Sequence, residues 1–237
     1  MLALNIFEDF ICFLGAKIET DYHQHYAIAV LLSHKQPFSI ITPDSTISST
    51  FCILPPNYYH RVDASKVDNL ILLLVEPDSK YSYFLRQSIN STSTIQLKET
   101  IYSVAQTFLN EQQAFDQAKV ARFLEAYCKY ETIPPIDPRI SKIFQYAKNH
   151  LCDNLNSQTL AQQVHLSESR FRHLFKKEVG ISVSKYLQWL RLKKAGELIL
   201  YGDNLTQASH SAGFYDAAHF NRIFKEMFGI PPSKVLV

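Results

Sequence analysis

Only six glycines occur among the 237 residues, and that scarcity removes whole classes of chemistry. Phosphate-cradling loops and the sharp turn that presents a nucleophilic serine both need closely spaced glycines. Neither pattern occurs, nor does a zinc-protease motif. The four cysteines, Cys12, Cys52, Cys128 and Cys152, are widely spaced and form no CxxC pair, so neither a zinc finger nor a disulfide framework is suggested. They read as reduced, buried small hydrophobes. Long apolar runs are also lacking. The N-terminal stretch MLALNIFEDFICFLGA is interrupted by Glu8-Asp9 and has no basic residue before it, so it is a poor signal peptide and too short for a membrane span. The expectation is a cytoplasmic protein that is not an enzyme, carries no cofactor and has no membrane partner.

What is present is enough apolar matter for a full core, at 46% of the chain, and a length that suggests two modest domains. Charge divides unevenly. Residues 1–137 hold 10 Lys/Arg against 15 Asp/Glu, or −5, while residues 138–237 hold 14 against 7, or +7. A basic half beside an acidic half is the pattern of a nucleic-acid-binding module joined to something else.

The first half reads as strands. YAIAVLLS (26–33), FSIIT (38–42), STFCILPP (49–56) and NLILLLVEP (69–77) are short, rich in β-branched and aromatic residues, and separated by Pro, Asn, Asp and Ser. Such spacing suggests a small barrel or sandwich. From about Thr94 the period becomes helical: Ile95, Ile101, Val104, Ala105, Phe108 and Leu109, then Val120, Phe123, Leu124 and Tyr127. Two amphipathic helices are expected there, whose Ile101, Phe108, Phe123 and Tyr127 would either pack on the strands or make a homodimer contact. The three prolines of ETIPPIDPRI mark a linker near 131–138. The predicted domains are 1–132 and 133–237.

The second half repeats itself at a spacing of 49 residues. Phe171 answers to Phe220, Phe175 to Phe224, Lys176 to Lys225, Gly180 to Gly229, Ile181 to Ile230, and Ser184-Lys185 to Ser233-Lys234. In the first copy Ser167 is a natural N-cap for a helix over 168–179 that stops at Gly180. Its apolar stripe is Phe171, Leu174 and Phe175, and another side carries Ser169, Arg172, His173 and Lys176. Upstream, SQTLAQQVHLS predicts a short helix and a tight turn at His165-Leu166, so the unit is a helix-turn-helix. The second copy has Asp216 as N-cap and Phe220, Ile223, Phe224 and Met227 as core. Its outer stripe is Ala218, Asn221, Arg222 and Lys225, with Ala217 beside it, and Gly213 occupies the turn where the first copy has His165. A helix of roughly 18 residues, about 27 Å long, lies between the copies. That length suits two second helices entering successive major grooves, about 34 Å apart. Arg172, and Arg222 helped by Asn221, are the expected guanine-edge readers, while Lys176, Lys185, Lys225 and Lys234 would neutralise phosphates.

The stretches DPRI, LAQQVHLSESRFRHLFKKEVGISVSKYLQWLRLKKAGELI and AGFYDAAHFNRIFKEMFGIPPSKV resemble the DNA-binding domain of AraC/XylS-type transcription regulators. The resemblance implies a sequence-specific regulator whose base-facing positions fall on Ser169, Arg172 and His173 in the first unit and on Ala217, Ala218 and Arg222 in the second. Arg191 would lie in the linker helix that positions both. Duplex DNA is the implied partner, with a small-molecule effector, a second copy of the chain and RNA polymerase as further ones. One departure is Ala208-Ser209, where the family usually has Ile-Ala. The smaller side chain predicts a packing loss on the order of 1–3 kcal/mol in the second unit.

His23 and His25, in DYHQHYAIAV, face the same way if extended, and His60, in PPNYYH, would supply a third nitrogen. This resembles the cupin-like effector domain that precedes many AraC-type modules, although the usual acidic ligand after the His-x-His pair is missing. Three readings stay open: a bound metal, a small-molecule pocket, or polar residues at a barrel mouth. With no carboxylate at hand the metal is the least favoured of the three and polar residues at the barrel mouth the most, with the pocket between them, and no metal is expected. The expected fold class is therefore α+β in two domains: a small cupin-like β-barrel with two amphipathic helices, then an all-α tandem helix-turn-helix domain joined by a linker helix. The alternative function is a metal-dependent cupin enzyme with a basic helical appendage.

Overall fold

The computed structural model describes residues 3–33, 36–89, 108, 115–127, 136–151, 153 and 155–236. Chain contacts divide it into two units, one holding Met1–Glu131 together with Lys225–Val235, the other Thr132–Phe224.

The strands of the first unit, numbered along the chain, pair antiparallel into two sheets. One has the order β1 (Ala3–Ile6), β2 (Phe10–Gly15), β9 (Leu70–Val75), β4 (Ile28–Ser33), β7 (Phe51–Leu54). The other has the order β3 (Ile18–Glu19), β8 (Arg61–Ala64), β5 (Phe38–Ile41), β6 (Thr46–Ser49). The central strands β4 and β9 read IAVLLS and LILLLV with no polar alternation, because both faces of their sheet are covered. One face, with Phe10, Cys12, Val30, Leu32, Leu73 and Val75, packs on α1 (Lys80–Ser88) and α2 (Gln117–Tyr127) through Tyr81, Leu85, Val120, Phe123 and Leu124. On the other face Leu31 stands opposite Leu72 and Cys52 in the ladder. Strand β6 alternates exposed and half-buried residues, so the second sheet keeps one face in water.

The expectation from sequence is a small cupin-like barrel or a sandwich; the described strands form two sheets, and among the described residues no ladder closes them into a barrel. Closure needs a continuous ladder around every strand. Here β1 and β7 end the first sheet and β3 and β6 the second, each paired on one side alone among the described strands.

The second expected amphipathic helix is α2. The first lies outside the described residues except for Phe108, which meets Phe123 edge to face at 5.0 Å in the core of this unit. Those two positions are therefore committed to packing and do not form a free dimer face. Ile101 and the Tyr127 side chain lie outside the described residues, as does the linker before Ile136. Cys12 and Cys52 are buried free thiols; burial pushes the Cys52 thiol up to about 12 and Cys12 higher still, so neither is nucleophilic.

The second unit is helical. α3 (Pro138–Asn149) starts with Asp137 as N-cap and Pro138 in its first turn, then come α4 (Ser157–Gln163), α5 (Glu168–Val179), α6 (Val183–Leu200) and α7 (Leu205–Ser211). The last helix, α8 (Ala217–Phe228), begins in this unit and its final residues group with the first. A 3-10 turn follows at Pro232–Lys234. α6 has 18 residues, about 27 Å at 1.5 Å per residue, and buries Tyr186, Leu187, Trp189, Leu190, Leu192 and Ala195. Those residues surround the axis instead of forming one stripe, as befits a helix packed on more than one side.

Candidate functional site

The repeated unit is a helix, a tight turn and a second helix, built the same way each time. α4 is capped by Asn156, whose side chain accepts from the Thr159 N–H while the Thr159 hydroxyl accepts from the Asn156 N–H. α7 repeats this reciprocal box with Asn204 and Gln207. The turns after them use positive φ, 54° at His165 and 84° at Gly213. Gly213 also admits close neighbours, since a Cβ there would stand 3.3 Å from Arg191 Nε. The second helices then start alike: Ser167 Oγ accepts from Arg170 N–H, and Asp216 Oδ1 accepts from His219 N–H. The Asn caps carry the duplication further upstream, at a spacing of 48 residues instead of 49 because the second turn is one residue longer. The sequence reading missed them, although Asn-x-x-Thr and Asn-x-x-Gln were visible signals.

Aromatic packing holds these helices. Phe144, Phe175 and Tyr186 contact one another with centroids 5.4–6.1 Å apart, and Phe171 adjoins Phe175. In the second copy Phe220 bridges Phe214 and Phe224. Ala208 and Ser209, where a packing loss was expected, are both fully buried, and the Ser209 hydroxyl donates to the Leu205 carbonyl at 2.6 Å. The Ser209 hydroxyl is thereby satisfied within its own helix despite its burial.

With the apolar stripes turned inward, the polar stripes are outermost. On α5, Ser169, Arg172, His173 and Lys176 are exposed; on α8, Ala218, Asn221, Arg222 and Lys225 are exposed and Ala217 is half-buried. Ser157, at the start of α4, hydrogen-bonds Glu168 at the start of α5 and ties the two helices together. Arg172 also lines a concavity of about 340 Å³ with Asn156, Ser157, Ser182, Ser184 and Arg191. The Ser157 hydroxyl is given to Glu168, while the Ser182 and Ser184 hydroxyls and the Asn156 amide beside two guanidinium groups suit a phosphate oxygen; these polar neighbours were not singled out from sequence. Lys185 is half-buried, and partial burial, then the charge of Lys176, lowers its pKa below that of an ordinary lysine. Of the remaining lysines, Lys234 is exposed, and Lys225 Nζ lies 2.9 Å from Asp21 Oδ2.

In the first unit, His23, His25 and His60 come together as a buried cluster, exposed by 2%, 4% and 1%. An antiparallel bridge pairs the backbones of His23 and His60, each N–H donating to the other's carbonyl at 2.8 and 2.9 Å. His25, two residues on, faces the same way, and its Nε2 lies 3.2 Å from His23 Nε2. The rings of His23 and His25 line a cavity of about 50 Å³ whose other walls include Phe13, Leu31, Leu72 and Phe228. Burial is the main reason the imidazoles stay neutral: it holds His23 at about 3, where the charge of His60 adds to it, and His60 at about 4. His25 is lowered well below 6.5 by burial and then by the charges of its two neighbours. Gly229 seals this cluster, since a Cβ there would fall 2.5 Å from the Asp21 carbonyl and 2.7 Å from His23 Nδ1.

Comparison with known proteins agrees with the helical geometry. Residues 160–236 match the family model described as "Helix-turn-helix domain". The arabinose operon regulatory protein of Escherichia coli K12 is 38% identical over 104 residues, which cover 43% of this chain and 35% of that protein. The HTH-type transcriptional activator RhaS of Escherichia fergusonii is 28% identical over 100 residues, 42% of this chain and 36% of RhaS. The chain thus spans about a third of the length of these curated relatives, which are named as regulators and not as enzymes. Among solved structures, ToxT of Vibrio cholerae O395 aligns over 95% of this chain and 96% of its own with a TM-score of 0.65 at 12% identity. A ToxT structure described as bound to unsaturated fatty acid aligns over 97% and 96% at 0.61 and 13% identity. Such low identities bear on the fold alone, N-terminal sheets followed by C-terminal helices. Sequence match, paired caps and matching turns together identify the C-terminal region of this chain as a helix-turn-helix domain, similar in sequence to that of the arabinose operon regulatory protein.

Proposed function

We propose that the protein is a cytoplasmic, sequence-specific transcription regulator that reads two successive major-groove segments of duplex DNA. The observation that carries this reading is the duplicated second helix, α5 and α8, each with a buried aromatic stripe and an exposed polar one. Ser169, Arg172 and His173 read bases in one segment, and Ala217, Ala218, Asn221 and Arg222 in the other. Arginine pairs bidentately with guanine, and an alanine accepts a thymine methyl group. Lys176, Lys185, Lys225 and Lys234 hold phosphates. The mutual repulsion of Lys176 and Lys185 supports this, because a phosphate between two such cations relieves it. The DNA-binding domain is taken as 133–237 and the sensing and dimerisation domain as 1–132, with RNA polymerase a further partner.

Control by a small effector belongs to the same proposal. It is supported by the fatty-acid-bound ToxT of the same fold and by the largely apolar cavity beside His23 and His25. At about 50 Å³ the cavity holds a few water molecules, so a larger effector would have to open it. Selecting bound sequences from a random duplex pool with the purified protein tests the central claim. Two conserved blocks about one helical turn apart are expected, whereas a pool that stays random after selection would remove it.

A further inference from the structure

We infer that His23, His25 and His60 form a binding site for a divalent transition-metal ion of the zinc, cobalt or nickel class, held through the three Nε2 atoms. This does not depend on the DNA-binding proposal.

The hydrogen bonds carry the inference. His23 Nδ1 lies 2.9 Å from the Asp21 carbonyl, and His60 Nδ1 lies 2.8 Å from the Tyr58 carbonyl. A carbonyl only accepts, so each Nδ1 carries the proton and each Nε2 is left as a bare lone pair. His60 Nε2 is buried and has no hydrogen-bond partner. An orphaned lone pair in a sealed interior is costly and asks for an explanation. The remaining lone pair, on His23 Nε2, points at His25 Nε2. Metal-binding histidines are oriented in this way, with the far ring nitrogen donating to a carbonyl while the near one faces the ion.

The geometry agrees. Ligand nitrogens at 2.0–2.1 Å on a tetrahedral ion stand about 3.3 Å apart, and His23 Nε2 and His25 Nε2 are 3.2 Å apart. One ligand nitrogen from each ring can be chosen so that all three lie within 4.8 Å of one another. His25 Nδ1 is likewise buried without a hydrogen-bond partner, so nothing there fixes the tautomer, and the ring is free to carry its proton on Nδ1 and turn its Nε2 lone pair to an ion. The cavity beside His23 and His25 leaves room for water at an open coordination position. The sequence argued against a metal because no carboxylate follows His25, but three imidazoles suffice for zinc. Imidazole ligands also favour zinc, nickel or copper over magnesium or calcium.

The test uses the full chain, stripped of metal with a chelator and titrated with Co²⁺ and then Zn²⁺. One ion per chain is expected, with the intense visible bands of four- or five-coordinate cobalt, bleached when zinc displaces it. His23→Ala and His60→Ala should each weaken zinc binding by about tenfold or more, while His219→Ala, outside the cluster, should not. Circular dichroism of each variant reports whether it has folded. If the alanine variants unfold, the wild-type chain decides: a melting temperature raised by one equivalent of Zn²⁺, together with the four- or five-coordinate cobalt spectrum, supports the site. No stoichiometric binding, a fully hydrated octahedral cobalt spectrum, or affinity unchanged in both folded variants overturns it.

Discussion

Arg172 and Lys176 stand one helical turn apart on α5, both exposed, yet the proposal gives them different tasks. Arg172→Ala should cost about 1–3 kcal/mol and relax base preference in one segment of the site. Lys176→Ala should weaken all sequences alike, because a phosphate contact carries no base information. Binding to a panel of single-base operator variants separates them, and the same uniform loss from both would make the α5 stripe ordinary solvated surface. The histidine cluster gives a second prediction, for metal-free protein. Unfolded imidazoles take up protons near pH 6.5, whereas the fold holds His23 to about 3 and His60 to about 4. Between those values the unfolded state binds more protons, so stability is full above about pH 6.5 and falls as the pH drops, by up to about 1.4 kcal/mol per pH unit for each histidine. Urea midpoints at pH 7 and pH 5.5 should therefore fall further in the wild type than in His60→Gln. Equal falls would show that the His60 ring is protonated inside the fold. That His23 and His25 share a face followed from their spacing. The arrival of His60 opposite His23 could not, because it depends on a backbone bridge between residues far apart in the chain.

Among the elements, α5 and α8 were the most legible, since an apolar stripe at helical spacing, a Ser or Asp cap and a closing glycine all agree there. α6 was legible in length but not in role. Its buried residues encircle the axis, so periodicity shows no preferred face. Trp189, 1% exposed, is its largest buried side chain. Trp189→Ala should cost about 3–5 kcal/mol in chemical denaturation, far more than Lys194→Ala on the exposed side of the same helix. Similar small losses from both would mean that α6 is a spacer and not part of the core. The strands show the converse. β4 and β9 announced themselves as continuous apolar runs, but a run of that kind does not name its neighbours, and the sheet order β1-β2-β9-β4-β7 could not be read from it.

For the whole molecule, the excess positive charge of residues 138–237 predicts that DNA affinity falls steeply with salt. Each lysine that neutralises a phosphate contributes about −0.9 to the slope of log affinity against log salt concentration. Replacing Lys176 or Lys234 by alanine should lower the slope magnitude by about one each. Lys225→Ala should lower it by less, because Lys225 already has an anionic neighbour in Asp21. Anisotropy titrations from low to physiological ionic strength measure this, and a flat dependence would remove the phosphate assignments. Among the described residues no helix is long and apolar enough to cross a membrane.

The amino-acid sequence by itself determined the repeat, the caps, the turns and the apolar stripes of the two helix-turn-helix units. These are local: each depends on residues within one or two helical turns, where propensity and periodicity act directly. Tertiary structure alone decided that the described strands pair into two sheets, that Phe108 and Phe123 are core, and that the His60 ring leaves a lone pair unpartnered. The physical reason is that strand pairing and buried hydrogen bonding join residues distant in the chain. Which partners they find depends on the free energy of the whole packed arrangement, and no local pattern encodes it.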